Sequence, residues 1–130
     1  MKDLITLAKK YSQNSYSPYS KIKVGASIET SDGTLFGGCN VENISFGATV
    51  CAERVAIFKA ISEGHKKITK LCLYTKDAWT PCGICLQVMY EFMRPEDTVI
   101  ICDEHTHQIY KLNDLLPKTT DLKTFKKLQE

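Results

Sequence analysis

The order of apolar and polar residues along the chain predicts a series of helices and strands. Apolar residues at helical spacing predict an amphipathic helix over about 3–13. Two partly alternating stretches, 24–30 and 34–40, flank the turn signal Ser31-Asp32-Gly33 and predict a β-hairpin. The later elements predicted from the same patterns are a helix at 51–63, a strand at 70–75, a helix at 82–93, strands at 98–102 and 105–111, a helical turn at 113–116 and a helix at 122–128.

Helices alternate with strands in the middle of the chain. This order favours parallel pairing there, because parallel strands are joined by a crossover helix. Together with the early hairpin, it predicts an α/β fold: a three-layer αβα sandwich around a mixed, mostly five-stranded sheet. In the helix at 51–63, we expect Val55, Phe58 and Ile61 to face the core. No repeat or linker divides the chain, so we expect a single domain over residues 1–130.

Composition narrows the class of protein. Hydrophobic residues make up 43% and charged residues 25% of the 130, values ordinary for a globular domain, which excludes global disorder. The net charge of +2 gives no electrostatic basis for binding a nucleic acid. The sequence has no apolar run long enough to span a bilayer and no secretion signal at its start. We therefore expect a cytoplasmic protein with neither a nucleic-acid nor a membrane partner.

Three of the six cysteines are expected to be structural. Cys72 and Cys102 lie in apolar stretches that predict strands, where cysteine behaves as a small core residue. Cys39 follows two glycines at the end of a predicted strand, and we interpret it as structural too.

The other three cysteines fall at predicted helix starts. Cys82-Gly83-Ile84-Cys85 is a C-x-x-C motif that, by itself, fits a redox dithiol, a metal knuckle or chance. Cys51 begins the preceding predicted helix, and the positive end of a helix dipole favours thiolates. Two helix starts at one edge of a sheet could bring the three sulfurs together. Three sulfur ligands with one open position would describe a catalytic zinc site.

Two charged residues, Glu53 and Arg54, lie two and three positions after Cys51. Glu53 is close enough in sequence to share the site, and we predict that it moves protons without binding the metal. The alternative is an ordinary first-turn acid that interacts with the helix dipole. Three thiolates make zinc electron-rich, and Arg54 is the cation placed to donate to one of them. We predict this charge-tuning role for Arg54; the alternative is a surface arginine.

The ordered pair Cys51-x-Glu53 and Pro81-Cys82-x-x-Cys85 resembles the signature of zinc nucleobase deaminases. The wider sequence, over about residues 10–117, is similar to the small cytidine deaminases. The segments in family order are Ser17-Pro18-Tyr19-Ser20-Lys21, Val24-Gly25-Ala26, Gly38-Cys39-Asn40-Val41-Glu42-Asn43, Cys51-Ala52-Glu53-Arg54, Pro81-Cys82-Gly83-x-Cys85-x-Gln87 and Leu115-Leu116-Pro117.

The resemblance implies an activity and a set of roles. The activity is hydrolytic deamination of cytidine and deoxycytidine by zinc-activated hydroxide attack on C4, with release of ammonia, as a step of pyrimidine salvage. One Zn²⁺ per chain would be bound by Cys51, Cys82 and Cys85, with Glu53 as the proton shuttle. The side chains of Asn40 and Glu42 would bind the ribose hydroxyls, and the backbone of Ala52 would contact the pyrimidine. The resemblance also implies a homotetramer with shared active sites.

The chain departs from the family pattern at three places. Ile22 stands where the family usually has Phe, which removes an expected aromatic wall, and Leu86 stands where Arg usually follows the last cysteine. The usual Gly-Ala-Phe after Leu-Leu-Pro is replaced by Lys118-Thr119-Thr120. Phe125 could substitute for the missing Phe, although an anchoring role in the last helix is the simpler interpretation.

Other functions remain open at this point. A non-catalytic zinc protein would close the site with Cys39 or a histidine as fourth ligand and would not need Glu53. A deaminase of another aminopyrimidine, such as the antibiotic blasticidin, would not need Asn40 and Glu42. A redox protein of the thioredoxin type would not need Cys51. Trp79 is interpreted mainly as packing over the loop before Cys82, with substrate stacking as the less favoured alternative.

Overall fold

The computed structural model describes residues 1–120, together with residues 123 and 126. Apart from those two positions, the helix expected at 122–128 lies outside the described residues, as does Phe125. Within the described part of the chain, no helix is both long and apolar enough to cross a membrane.

The described elements follow the predicted order closely. The helix predicted at 82–93 is observed at 83–92, and the strand predicted at 105–111 is shorter, beginning at 107. Residues 46–48 form a short 3₁₀ turn that the sequence did not predict. The elements are α1 (Lys2–Ser12), β1 (Gly25–Thr30), β2 (Leu35–Cys39), α2 (Ala52–Ser62), β3 (Ile68–Tyr74), α3 (Gly83–Phe92), β4 (Thr98–Cys102), β5 (His107–Lys111) and α4 (Leu112–Leu115).

The five strands form one mixed sheet in the order β2-β1-β3-β4-β5. Strand β1 pairs antiparallel with both β2 and β3, β3 pairs parallel with β4, and β4 pairs antiparallel with β5. The predicted hairpin and the predicted parallel pair are both confirmed. Helix α3 supplies the crossover between the two parallel strands.

Helices cover both faces of the sheet, which confirms the predicted three-layer α/β sandwich. On one face, Leu4 and Ala8 of α1 pack against Cys72, Ile100 and Cys102. The two cysteines are fully buried, as expected for core residues, and their Sγ atoms lie 3.7 Å apart. The larger cluster on the opposite face includes apolar residues of α2 and α3.

The predicted inner face of α2 is wrong in one respect: Phe58 is 48% exposed. The fully buried residues of α2 are instead Ala52, Ala56, Ile57 and Ala60. Small residues are required because α2 lies directly against β2. A Cβ added to Gly38 of β2 would lie 2.6 Å from the backbone N of Ala56. This close packing fixes where α2 begins relative to the sheet.

Candidate metal and substrate site

Three cysteine sulfurs meet where α2 and α3 begin. Cys51 is the N-cap residue of α2 and Cys82 that of α3, while Cys85 lies in the first turn of α3. The three Sγ atoms all lie within 4.8 Å of one another, and those of Cys51 and Cys82 are 3.8 Å apart. The sequence prediction that two helix starts bring these residues together agrees with this geometry.

The local backbone explains why these thiols point the same way. Both N-cap residues have extended φ/ψ angles, which turn the side chain back over the helix end. The backbone N–H of Cys85 donates to the Sγ of Cys82 at 3.4 Å. Such N–H donors and the helix dipole favour the thiolate form at this end of a helix.

The cluster fits a zinc ion in its donor chemistry and its spacing. Two thiolates bound tetrahedrally at about 2.3 Å from zinc lie roughly 3.8 Å apart, which is the separation that Cys51 and Cys82 show. Among the described residues, the group of mutually close ligand atoms contains these three sulfurs and no fourth side chain. The arrangement therefore has the three-ligand form of a catalytic site.

Arg54 contacts this cluster from one turn along α2. Its Nη2 donates to the Sγ of Cys51 at 3.6 Å, and its buried Nε has no acceptor among the described residues. A hydrogen bond from Cys85 lowers the pKa of the Cys51 thiol, and the guanidinium of Arg54 lowers it further. Negative charge is thus stabilised at Cys51.

Glu53 lies beside the cluster and is 3% exposed. Burial raises the pKa of its carboxyl group to about 7, and the negative charge of Cys51 adds to the rise. The carboxylate is not part of the group of mutually close metal-ligand atoms. A carboxyl group with this pKa can exchange a proton near neutral pH, which suits general acid–base chemistry.

A cavity of about 280 Å³ opens beside the sulfurs. Cys51, Cys82 and Glu53 line one part of it, and Asn40 and Glu42 line another. The first residue of α2, Ala52, also lines the cavity. One cavity therefore contains predicted metal ligands, the predicted proton shuttle and the predicted sugar-binding residues.

Asn40 is held by the loop between α1 and β1. Its Oδ1 accepts from the hydroxyl of Ser15 and, at 3.1 Å, from the backbone N–H of Val24. Its Nδ2 donates to the carbonyl of Ile22 at 2.8 Å. An amide has two donors and two acceptor lone pairs. Among the described residues, the remaining hydrogen-bonding capacity of Asn40 is therefore one N–H donor.

Glu42 is held by the same loop. Its Oε1 accepts from the backbone N–H groups of Tyr19, at 3.0 Å, and Ser20, at 3.1 Å. Its Oε2 accepts from the hydroxyl of Ser20. This hydroxyl, assisted by the two backbone donors, lowers the pKa of the Glu42 carboxyl. Within the described part of the chain, Oε2 retains a lone pair for one more donor.

Residues 1–102 match the family model described as "Cytidine and deoxycytidylate deaminase zinc-binding region". This chain belongs to that deaminase family. The match includes all of the cavity residues named above, and it confirms the resemblance inferred from the sequence motifs. Since the family model is that of a zinc-binding region and the cysteine cluster fits zinc, zinc is the metal that the deaminase site suits.

Curated relatives of this deaminase include two bacterial cytidine deaminases. The protein from Sporosarcina psychrophila is 45% identical over 91 residues, covering 68% of this chain and 67% of the relative. The protein from Halalkalibacterium halodurans is 40% identical over 109 residues, covering 81% and 82% of the two chains.

Solved structures agree with the deaminase fold. The crystal structure of cytidine deaminase from Burkholderia pseudomallei matches 92% of this chain and 98% of that one, with a TM-score of 0.87 at 37% identity. That of cytidine deaminase from Mycobacterium tuberculosis matches 93% and 97%, with a TM-score of 0.81 at 33% identity.

Two departures from the usual deaminase pattern now have structural locations. Ile22 lines the cavity, where a larger aromatic residue was expected. Leu86 is buried in the core on the α3 side of the sheet, so an apolar residue suits that position. Trp79, interpreted from sequence mainly as packing over the loop before Cys82, lines the same cavity. The only sequence signal for it was its position three residues before Cys82.

Proposed function

We propose that this chain catalyses the hydrolytic deamination of cytidine and 2′-deoxycytidine to uridine and 2′-deoxyuridine, with release of ammonia. One observation supports the proposal most strongly. Two residues of a three-sulfur cluster, Cys51 and Cys82, line one cavity together with the buried Glu53 and with Asn40 and Glu42, a side-chain pair suited to a sugar hydroxyl. Through this reaction the protein would serve pyrimidine salvage.

Cys51, Cys82 and Cys85 would bind one Zn²⁺ per chain. The backbone N–H of Cys85 stabilises the Cys82 thiolate and the guanidinium of Arg54 stabilises that of Cys51, which favours the deprotonated state that zinc requires of its ligands. When bound, zinc would acidify a water molecule and supply a nucleophile at neutral pH. The cavity lies beside Cys51 and Cys82, so a substrate in the cavity would be next to the metal.

Glu53 would move the protons of the reaction. Its carboxylate is close to the site and its pKa of about 7 allows both acceptance and release of a proton. It would take a proton from the attacking water, deliver one to N3 of the pyrimidine, and assist the departure of the amine. The backbone N–H of Ala52, the first residue of α2, lacks a partner within the helix and would contact the pyrimidine.

Asn40 and Glu42 would bind the sugar. Asn40 retains one donor and Glu42 retains one acceptor, as described above. A single hydroxyl group both accepts and donates a hydrogen bond, so one sugar hydroxyl can satisfy both residues. The 3′-hydroxyl is common to cytidine and deoxycytidine. The proposal therefore includes both nucleosides as substrates.

Arg54 would tune the charge of the metal centre. A zinc ion bound by three thiolates is electron-rich, which weakens its effect on a bound water. Donation from Nη2 of Arg54 to Cys51 withdraws electron density from one sulfur. The arginine would thereby partly restore the acidifying effect of the metal.

We further propose a homotetramer whose active sites are shared between neighbouring chains. Two large apolar residues in the segment between β2 and α2 support association: Ile44 is 81% exposed and Phe46 is 72% exposed. Neighbouring exposed apolar side chains that form a patch are typical of a protein interface. Light scattering on the protein and on Phe46→Ser tests this: a tetramer that weakens in the variant is expected, and a fully active monomer would rule it out.

A cytoplasmic location completes the proposal. None of the six cysteines is in a disulfide, including the neighbouring Cys72 and Cys102. Free thiols persist in reducing compartments such as the cytosol.

The proposed activity is tested by the loss of cytidine absorbance in the presence of the purified protein and of Glu53→Gln. We expect turnover by the wild-type protein. We expect the variant to retain zinc and fold but to lose more than the roughly 10²–10⁴-fold of a single acid–base step, because Glu53 serves several steps. Loss of zinc from the variant, or near-normal turnover by it, would contradict the role of Glu53.

A further inference from the structure

Trp79 is an aromatic residue in the wall of the cavity that no role has yet explained. Its side chain is 51% exposed, although tryptophan is large and apolar. It lines the cavity together with Glu53, Asn40 and Ile22. A half-exposed aromatic ring at a concave site has a free surface for a planar ligand.

The backbone holds Trp79 in this position. Its N–H donates to the hydroxyl of Thr75 at 2.7 Å, and Thr75 is 3% exposed. The preceding residue, Ala78, has a φ of 55°, which is rare for a residue with a side chain. The neighbouring backbone thus adopts a strained conformation immediately before the tryptophan.

Trp79 also borders a second cavity of about 350 Å³. The two cavities share Ile22, Thr75 and Trp79, and Trp79 is the largest of the three. The second cavity is also lined by Lys21, Lys23 and Lys76, together with Asp77. The shared residues form a wall between the site cavity and this lysine-lined cavity.

We propose that Trp79 determines specificity: its indole contacts the bound nucleoside and closes the site against the lysine-lined cavity. The proposal rests on the proposed function, because it assigns the nucleoside of that function to the ring. Trp79 would supply the aromatic surface that Ile22 lacks. Because the lysine-lined cavity is basic, a gap in the wall would admit an anionic group attached to the sugar.

Intrinsic fluorescence tests the contact without a mutation, because Trp79 is the chain's sole tryptophan. Uridine, the proposed product, is titrated into the zinc-loaded protein, with correction for absorption by the nucleoside. We expect a saturable change in tryptophan emission. An emission spectrum that stays unchanged in a protein that turns over cytidine overturns the contact and leaves the proposed function intact. Absence of cytidine turnover by the wild-type protein would instead contradict the proposed function.

Kinetics of three variants test the energetic contribution of the ring. Trp79→Ala should raise KM for cytidine about tenfold or more, in the range of lost base–aromatic stacking, with a smaller effect on kcat. Trp79→Phe should restore most of the loss and shows that the position tolerates substitution. Phe58→Ala removes another half-exposed aromatic, one that does not line the cavity, and should keep the wild-type KM. A folded Trp79→Ala protein with wild-type KM overturns the proposal.

A comparison of two substrates tests whether Trp79 separates the two cavities. In Trp79→Ala the two cavities join, so the ratio of kcat/KM for cytidine to that for cytidine 5′-monophosphate should fall. Trp79→Phe, which keeps a ring in the wall, should preserve most of the ratio. A ratio in Trp79→Ala equal to that of the wild-type protein would show that the ring does not separate the cavities, and would overturn the assignment of specificity.

Discussion

The guanidinium of Arg54 donates to the sulfur of Cys51 at 3.6 Å, three residues further along the same helix. The contact joins a cation in the first turn of α2 to the cysteine that caps that helix. Both residues lie at the N-terminal end of α2, so the contact does not link two elements of the fold. Its effect on the site can therefore be measured with the fold retained.

Replacement of Arg54 by alanine should lower kcat while zinc remains bound. The physical reason is the loss of a charge-assisted hydrogen bond to a thiolate, which contributes about 1.5–3 kcal/mol. We expect a fall in kcat of about tenfold or more, measured with zinc content on the same sample. Arg54→Lys should recover part of the loss, because an ammonium group cannot reproduce the guanidinium fork. Wild-type turnover by zinc-loaded Arg54→Ala would refute the role.

Cysteine substitutions distinguish the proposed zinc ligands from the cysteines of the core. Cys82→Ser and Cys85→Ser should each lower the zinc content of the purified protein, because a hydroxyl is a poor substitute for a thiolate ligand. Cys72→Ser and Cys102→Ser are matched controls: this pair also lies sulfur to sulfur, at 3.7 Å, but away from the cavity. Metal analysis should find their zinc unchanged. Full zinc retention by the double variant Cys82→Ser, Cys85→Ser would exclude the proposed site.

Substrate selectivity should depend on the unused N–H donor of Asn40 and the unused lone pair of Glu42, which only a substrate with a sugar hydroxyl can satisfy. Free cytosine has no sugar hydroxyl and leaves both residues unpaired, so its kcat/KM should be lower by roughly 10⁴-fold. Deoxycytidine keeps the 3′-hydroxyl and should lie within about tenfold of cytidine. Competition assays with the three compounds give both ratios.

A matched substitution tests the same pair. Glu42→Gln replaces an acceptor oxygen by an amide donor, which conflicts with the donors from Tyr19 and Ser20. It should raise KM for cytidine and leave the slow reaction with cytosine unchanged. Equal kcat/KM for cytosine and cytidine in the wild-type protein would remove the sugar-binding role of Asn40 and Glu42.

Stability should depend strongly on the glycine where α1 contacts the sheet. A Cβ at Gly25 would lie 1.9 Å from the carbonyl oxygen of Ala8, so the helix must move to admit it. Gly25→Ala should lower the free energy of unfolding by about 1–3 kcal/mol or more, measured by urea denaturation. Gly47→Ala is the control, because among the described residues other than its chain neighbours no atom lies within 4 Å of the added Cβ. Equal stability of the two variants would contradict the described packing of α1.

Much of the fold was predictable because its elements have local signals. The hairpin has its turn at Ser31-Asp32-Gly33, and Pro81 stands just before the α3 N-cap. The face of α2 was not predictable in the same way. Phe58 is apolar, and only the tertiary contact between Gly38 and Ala56 requires small residues on that face. Periodicity identifies a helix but not the separation at which it packs.

In the candidate site, too, features with a local sequence signal were predictable and features that depend on tertiary contacts were not. The cysteines and Glu53 were predictable because the signature is local to two helix starts. The support of Asn40 by Ser15 and Val24, by contrast, comes from a segment that the sequence indicates only as a loop. The position of Trp79 was not predictable either, because it depends on the turn that Thr75 stabilises.

The central claim is that this chain deaminates cytidine with a zinc ion bound at the cysteine cluster. The dependence of cytidine turnover on zinc tests this claim most directly. The purified protein is assayed for loss of cytidine absorbance before chelation, after removal of the metal and after readdition of zinc, with circular dichroism to verify the fold. The account predicts that turnover is lost with the metal and returns with zinc. Undiminished turnover after complete metal removal, or no turnover by the folded and zinc-loaded protein, would contradict it.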